Sequence, residues 1–322
     1  MNSNNIYGID TLEMRCPLCY NTPQILELIN SEDVIAIWGK VGIDVSQAIR
    51  KSEITKCQCN ICGLGYYYPF IPGDALFYGK LADWDWYYKH PGKTEYEFTL
   101  SVLNAKINLF DVGCGIGEFS TYLPDGVNYF GSDLCEKSVE IAKSMGRNVD
   151  LIDIMKISDS LKDSFDAVTC FQVLEHVIDI HGFFSALVSL CKPGGIIVLA
   201  VPNNSGFIGY AVNNILNMPP HHVLLWSKKS LIYLANKYNI EVLNYVEEKL
   251  SDVHRHWAVT TMVRFYLCNI IQRKQKTVDI SFIGRIIGKI SSLFAYPIGK
   301  LFPNLVTVGH SSIIVLKKNE VA

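Results

Sequence analysis

The chain has 322 residues, 49% of them apolar and only 19% charged, which suits one large core plus an appendage and excludes a disordered or fibrous chain. Twenty-nine Lys and Arg against 31 Asp and Glu leave a formal net charge of −2, so there is no bulk attraction to nucleic acid. No apolar run approaches the ~18 residues of a membrane-spanning helix, and Met1-Asn-Ser-Asn-Asn5 lacks the basic and apolar regions of a secretion signal.

Without an export signal, the ten cysteines are expected as thiols or metal ligands rather than disulfides. Cys16-Pro-Leu-Cys19 and Cys59-Asn-Ile-Cys62-Gly63 are paired C-x-x-C knuckles. Each can give two thiolates to one tetrahedral Zn²⁺, with backbone amides donating to the sulfurs. Four protein ligands leave no open coordination position, so such an ion is structural. Cys57 falls outside the set because the C-x-x-C-G pattern selects Cys59. Reduced cysteines packed as small hydrophobes are the alternative, while a redox pair is disfavoured because neither knuckle opens a helix after a strand. The thirty-nine residues between the knuckles read as strand-rich, with strands at Val34–Trp38 and Val41–Val45.

From Leu64 to Glu97 the chain is crowded with aromatics, including Tyr66, Tyr67, Tyr78, Trp84, Trp86 and Tyr88, and Pro69, Pro72 and Gly73 break it into loops and short helices. An interface between the N-terminal module and the main domain is one reading of this segment.

The main domain opens on Leu109-Phe-Asp-Val-Gly-Cys-Gly-Ile-Gly-Glu118. An apolar run meets glycines at 113, 115 and 117, and an amphipathic stretch, Phe119–Leu123, follows. That pattern predicts a buried strand, a tight turn and a helix start, with glycine wanted where backbone turns sharply and lies against a ligand. Asp133 ends a second strand-like run, Val127–Ser132, where an acid can accept both hydroxyls of a ribose. A pyrophosphate fingerprint, G-x-G-x-x-G, needs glycine at position 118. Glu118 stands there instead, and its charge would repel a pyrophosphate.

Further strands are predicted at Val149–Ile152, Phe165–Phe171, Ile196–Val201, Ile240–Val246 and Ser312–Leu316. Gln172-Val-Leu-Glu-His-Val177 follows the fourth strand, and Cys191-Lys-Pro-Gly-Gly195 forms a turn into the fifth. A loop then runs to Pro219-Pro-His221-His222, and Ser227 caps a helix, Lys228–Asn236.

Between the sixth and seventh strands lies a long insertion, about 251–309, with apolar residues at helical spacing from Val259 to Ile271 and from Phe282 to Phe294. Val253–Lys318 holds ten Lys and Arg against one acid, Asp279. The segment is thus +9 and the rest of the chain −11. Two uses of the 282–294 stripe stand open: cover for a core or another chain, or a peripheral contact of 282–302 with an anionic membrane surface, in which Tyr296-Pro297 would end the helix and Phe302 add an anchor.

These motifs, in this order, resemble class I S-adenosylmethionine-dependent methyltransferases, and the cysteine pairs resemble the zinc ribbon that precedes some of them. The resemblance covers about Cys16–Val246 and implies an α/β fold, a Rossmann-like, seven-stranded doubly wound sheet. A small N-terminal zinc-binding module (1–68), a connecting or lid segment (69–92) and a methyltransferase domain (93–322) with its helical insertion before the last strand complete the expected plan. S-adenosyl-L-methionine is the implied cofactor. Asp111, Gly113, Gly115, Gly117, Asp133, Leu134 and Gln172 would line its site, with Asp153 and Ile154 at the adenine. Cys16, Cys19, Cys59 and Cys62 would hold the structural Zn²⁺. His176, His221 and His222 are the base candidates, each with the plainer alternative of orienting a loop through a backbone hydrogen bond.

The expected reaction is methyl transfer to oxygen or carbon of a small-molecule acceptor: a sugar or glycan, a polyketide-like or a quinone-like compound. The residues Phe-Gln-Val-Leu-Glu-His after the fourth strand differ from the Asn-Pro-Pro-Tyr type used on nucleobase amines, so DNA is not the expected partner. An RNA methyltransferase with a zinc module is an alternative, but Met1–Leu100 carries eight Lys and Arg against twelve acids, a poor surface for a polyanion. A non-catalytic S-adenosylmethionine-binding interaction protein is the other alternative. A cytoplasmic location is expected, peripheral on the inner face of the membrane if the insertion docks there.

Overall fold

A computed structural model of the protein describes residues 14–50, 53–84, 87 and 93–320. Trp86 and Tyr88 of the aromatic segment lie outside the described residues. The first elements are strand β1 (Gln24–Asn30), helix α1 (Ser31–Gly39), strands β2 (Glu53–Gln58) and β3 (Gly65–Tyr68), and helices α2 (Ala75–Leu81) and α3 (Thr94–Val102). There follow strands β4 (Asn108–Val112) and β5 (Asn128–Asp133), helix α4 (Glu136–Ser144), strand β6 (Val149–Leu151) and the short helix α5 (Ile154–Ile157). Strand β7 (Phe165–Phe171), helix α6 (Ile180–Leu190), strand β8 (Cys191–Pro202), the two-residue β9 (Leu224–Leu225) and helix α7 (Lys228–Lys237) come next. The chain closes with β10 (Glu241–Lys249), helices α8 (Asp252–Ile270) and α9 (Phe282–Leu301), and β11 (Val308–Lys317).

Two compact units divide the chain: Met1–Pro72, Pro202–Ser230 and Glu247–His310 form one, and Gly73–Val201, Leu231–Val246 and Ser311–Ala322 the other. The insertion and the loop after β8 thus belong with the N-terminal module.

The second unit is built on a seven-stranded sheet in the order β10-β11-β8-β7-β4-β5-β6. Strands β4, β5, β6, β7 and β8 pair in parallel. Central β4 and β7 are almost continuously buried, as parallel strands covered on both faces must be. Successive residues of β4 serve opposite faces. Leu109 joins a core with Tyr96 of α3, Phe171 and Val315, whereas Phe110 packs against Phe130 and Phe165. Helix α6 starts where Asp179 accepts the Gly182 amide at 2.9 Å, and it buries Phe183, Phe184, Leu187 and Leu190. The Cys191–Gly195 turn is absorbed into β8 as an irregularity: Phe165 pairs with Cys191, but Ala167 already pairs with Ile196. The stretch after the glycine turn makes a 3-10 helix, Glu118–Tyr122, rather than an α-helix. Leu123 is extended there, as a residue before proline prefers, and Pro124 ends the turn.

In the first unit, β1, β2, β3 and β9 form an antiparallel sheet. Val34–Trp38 is helical, not a strand. The Asn30 side chain caps α1 by accepting the Glu32 amide at 2.9 Å, and Val34, Ile37 and Trp38 recur at helical spacing on its buried side. Val41–Val45 forms no strand either. The strands between the knuckles are β1 and β2, which pair on either side of α1 in sequence. The Trp38 indole donates to the Pro219 carbonyl at 3.0 Å and the Tyr67 hydroxyl to the Asn217 carbonyl at 3.0 Å, which ties α1 and β3 to the loop after β8. Helices α8 and α9 pack through Val259, Val263 and Ala295. Asp279, paired with Arg264 and Arg273, accepts the Ser281 hydroxyl at 2.6 Å, and Ser281 caps α9.

Candidate functional site

In a doubly wound sheet, ligands bind beyond the carboxyl ends of the strands where the strand order reverses. Here the order runs outward from β4 to β5 and β6, then returns to β7 on the other side. The glycine turn after β4 and the Gln172–Val177 segment after β7 therefore flank the switch point.

Gly113, Gly115 and Gly117 all have left-handed backbone, with φ of 69°, 57° and 69°. A Cβ on Gly113 would lie 2.3 Å from a Val173 methyl, and one on Gly117 2.7 Å from a Val149 methyl. Packing of the turn itself therefore requires glycine at both positions, beyond any need to approach a ligand. Asp133, at the end of β5, clamps this turn: its carboxylate accepts the Gly115 amide at 2.7 Å and the Cys135 amide at 2.8 Å. Burial raises its pKa, and those amides work against the rise. A carboxylate accepts about four hydrogen bonds, so acceptor capacity remains for vicinal hydroxyls.

Asp111 is turned inward. It is buried, accepts the Thr169 hydroxyl at 2.7 Å and the Tyr129 hydroxyl at 3.0 Å, and burial pushes its pKa up to about 7 against those bonds. Leu134 is 67% exposed. Asp153 caps the short α5 through the Met155 amide at 3.1 Å, and the next residue, Ile154, is buried. Gln172 takes a left-handed backbone with φ of 57°, uncommon for a residue with a Cβ, and its side chain donates to Ser311 Oγ at 3.1 Å. One oxygen of Glu118, Oε2, is buried at the glycine turn with no hydrogen-bond partner among the described residues. S-adenosylmethionine carries an ammonium and a sulfonium, so an orphaned carboxylate oxygen following the glycine turn, with spare acceptor capacity on Asp133, fits that cofactor.

Downstream of Gln172, Glu175 is fully buried and burial pushes its pKa up to about 8. His176 Nδ1 lies 3.0 Å from the Tyr78 hydroxyl, and the two rings meet edge to face with centroids 5.6 Å apart. Sequence reasoning missed Tyr78; its only signal was membership of the aromatic segment. In the other unit, His221 and His222 stack on each other with centroids 4.4 Å apart. Each is fixed through Nδ1, His221 to the Leu216 carbonyl at 2.9 Å and His222 to Asn217 Oδ1 at 3.1 Å.

The knuckles share one backbone design. Cys16 and Cys59 each accept the amide four residues on, from Tyr20 at 2.8 Å and Gly63 at 2.9 Å, and both donors are left-handed. Each first cysteine also donates to the carbonyl five residues on, Asn21 or Leu64. The sulfurs of Cys16, Cys19, Cys59 and Cys62 lie within 4.8 Å of one another, a group that does not include Cys57. The Cys16–Cys62 and Cys19–Cys59 pairs are 3.5 and 3.3 Å apart. A tetrahedron with Zn–S of about 2.3 Å has an edge of about 3.8 Å, close to these separations. A hydrogen bond from Cys62 draws the Cys16 thiol down to about 6 and pushes Cys62 far up, the conflict expected of crowded thiols and one a bound cation relieves.

Residues 89–245 match the family model of a methyltransferase domain. Over 104 residues the chain is 36% identical to a ubiquinone biosynthesis O-methyltransferase of Dechloromonas aromatica, a stretch covering 30% of this chain and 45% of that protein. Its likeness to the ubiquinone biosynthesis O-methyltransferase of Idiomarina loihiensis is also 36% over 104 residues, 30% of this chain and 43% of that protein. The chain thus spans a little under half the length of these curated relatives. Among solved structures, a possible histamine N-methyltransferase from Thermotoga maritima aligns with a TM-score of 0.50 at 15% identity, covering 76% of this chain and 98% of that one. That last likeness concerns the fold alone. Residues 89–245 thus form a methyltransferase domain, and the strand order and the glycine turn clamped by Asp133 are those of the class I methyltransferase fold.

Proposed function

We propose that this chain moves a methyl group from S-adenosylmethionine to a hydroxyl oxygen of a small, quinone-like acceptor, with His176 taking the hydroxyl proton. The cofactor supplies a methyl carbon already activated by a sulfonium. The residues Asp133 and Glu118 would hold its ribose and ammonium, so that orientation, rather than electrophile activation, is the task of the protein. A hydroxyl acceptor keeps its proton near neutral pH, so a base adds to the rate. The observation that carries the reading is the Tyr78–His176 contact beside the switch point, which fixes the imidazole at one nitrogen. The names of the curated relatives favour oxygen over carbon as the receiving atom. We assign His221 and His222 the loop-orienting role, since each already engages its own loop through Nδ1. A structural Zn²⁺ on Cys16, Cys19, Cys59 and Cys62 would hold the knuckles together.

The test is transfer of labelled methyl from S-adenosylmethionine to catechol-type and sugar acceptors, comparing the native protein with His176→Ala. Methylation of the catechol class, lost in the variant while cofactor binding is kept, is the expected outcome. Transfer undiminished in His176→Ala would remove the base from the proposal. Transfer to the sugars alone would remove the acceptor class.

A further inference from the structure

Helix α9 is inside out by the usual standard of a soluble helix. The side it buries is made largely of small residues: Gly284, Ser291 and Ala295, with Ile287. This seam packs on α8, where Val259 and Val263 meet Ala295. The bulky apolar residues lie on the other side. Phe282, Ile283, Ile286, Ile290, Leu293 and Phe294 are all exposed, Phe282 by 71% and Leu293 by 73%. Side chains at this spacing form one continuous stripe, and stripes of that kind left to water mark interaction surfaces.

Charge identifies what the stripe meets. Helix α9 contains Arg285, Lys289 and Lys300 and no acid, and all three cations are exposed. At 3.6 residues per turn they project along one border of the apolar stripe. Exposed aromatics continue past the stripe at Tyr296 and Phe302, side chains suited to the boundary between water and hydrocarbon. Among the described residues no helix is long and apolar enough to cross a membrane, so the only bilayer geometry open to α9 is to lie along it. Helix α9 also continues through Pro297 to Leu301, although that residue was expected to end it. Pro297 lacks the N–H that the Leu293 carbonyl would accept, but both residues are exposed and water can serve that carbonyl.

We infer that the outer face of α9 is a docking surface for an anionic lipid bilayer, with the apolar stripe sunk at the headgroup boundary and Arg285, Lys289 and Lys300 on the phosphates. This inference goes beyond the proposed methyl transfer and does not depend on the acceptor.

The experiment is sedimentation of the full chain with vesicles of phosphatidylcholine alone or with rising phosphatidylglycerol, at low and high salt. The native protein should pellet as the anionic fraction rises and return to the supernatant in high salt. The pair Arg285→Glu, Lys289→Glu should lower partitioning roughly tenfold or more, and Leu293→Ser, Phe294→Ser should abolish it. All four positions are exposed, so unchanged circular dichroism is expected of both pairs, and the salt response of the native protein is a measure that needs no variant. A native protein that stays in solution at every lipid composition overturns the inference, as does equal binding to neutral vesicles. A lipid-free dimer that Leu293→Ser, Phe294→Ser converts to monomer, without lipid binding, assigns the face to a second copy instead.

Discussion

The Tyr78 hydroxyl and His176 Nδ1 stand 3.0 Å apart, joining the aromatic segment to the motif after β7. Which atom carries the shared proton depends on the imidazole tautomer, but the bond fixes the ring either way. Tyr78→Phe keeps the edge-to-face contact and removes only the hydroxyl. We expect kcat to fall roughly tenfold with KM little changed, less than the 10²-fold or more expected of removing the base itself. Steady-state kinetics on Tyr78→Phe and His176→Ala check this, and a larger loss in the Phe variant than in the Ala variant would contradict the assigned order of roles.

Much of the second unit was legible from its sequence because its strands are buried on both faces. Phe165–Phe171 reads as an apolar run bounded by turns, and the strand has those bounds. The short apolar run Val34–Trp38 has no such context. Helix or strand was decided by the Asn30 side chain four residues earlier, a cap that competes with β-propensity and wins locally. Tyr78 and His176 are separated by 98 positions, and no periodicity or spacing connects them. The outward stripe of α9 was visible as a pattern, but a pattern cannot say which side of a helix is covered. The small residues on the opposite side, able to pack closely on α8, decide that.

Asp133 clamps the glycine turn and is the proposed acceptor of the ribose hydroxyls. Asp133→Ala removes that proposed acceptor and also frees the Gly115 and Cys135 amides. Cofactor affinity should weaken by about 1–3 kcal/mol, the cost of losing hydrogen bonds to a charged group. The melting temperature should fall as well, because the amides of buried Gly115 and half-buried Cys135 lose their partner. Calorimetric titration with S-adenosylmethionine and a thermal melt test both. Unchanged affinity would remove Asp133 from the cofactor site, leaving it the clamp of the glycine turn.

Metal removal should be felt beyond the knuckles. The second knuckle is tied to the start of α7, since Ser227, just before it, donates to the Gly63 carbonyl at 3.0 Å and Lys229, in its first turn, to the Asn60 carbonyl at 2.7 Å. Trp38 and Trp226 are fully buried in the same unit. Protein purified under reducing conditions should carry about one zinc per chain, and Cys59→Ser should lower that content. Chelation should red-shift tryptophan emission and open 219–229 to proteolysis. Elemental analysis that finds no metal, or chelation that leaves the emission unmoved, speaks against a structural ion.

Glu175 gives stability a pH dependence of predictable sign. Burial raises its pKa from an ordinary 4.5 to about 8, against a hydrogen bond from its own backbone, and the nearby carboxylate of Glu95 adds to the rise. The folded protein therefore holds this proton up to about pH 8, whereas the unfolded chain releases it above 4.5. Across that window the unfolded state binds fewer protons, so stability falls as pH rises. Asp111, raised from 3.8 to about 7, acts in the same direction and over a lower window. Each group contributes a slope of at most about 1.4 kcal/mol per pH unit. Glu175→Gln keeps the shape and the neutral charge of the protonated side chain. The variant should lose stability less steeply between about pH 5 and pH 8, and Asp111 and Asp133, both raised by burial, should contribute to the remaining slope. Urea titrations at several pH values measure both slopes. Identical pH profiles for the native protein and Glu175→Gln would mean that Glu175 is already ionised in the folded protein, and the neutral buried carboxyl would have to be abandoned.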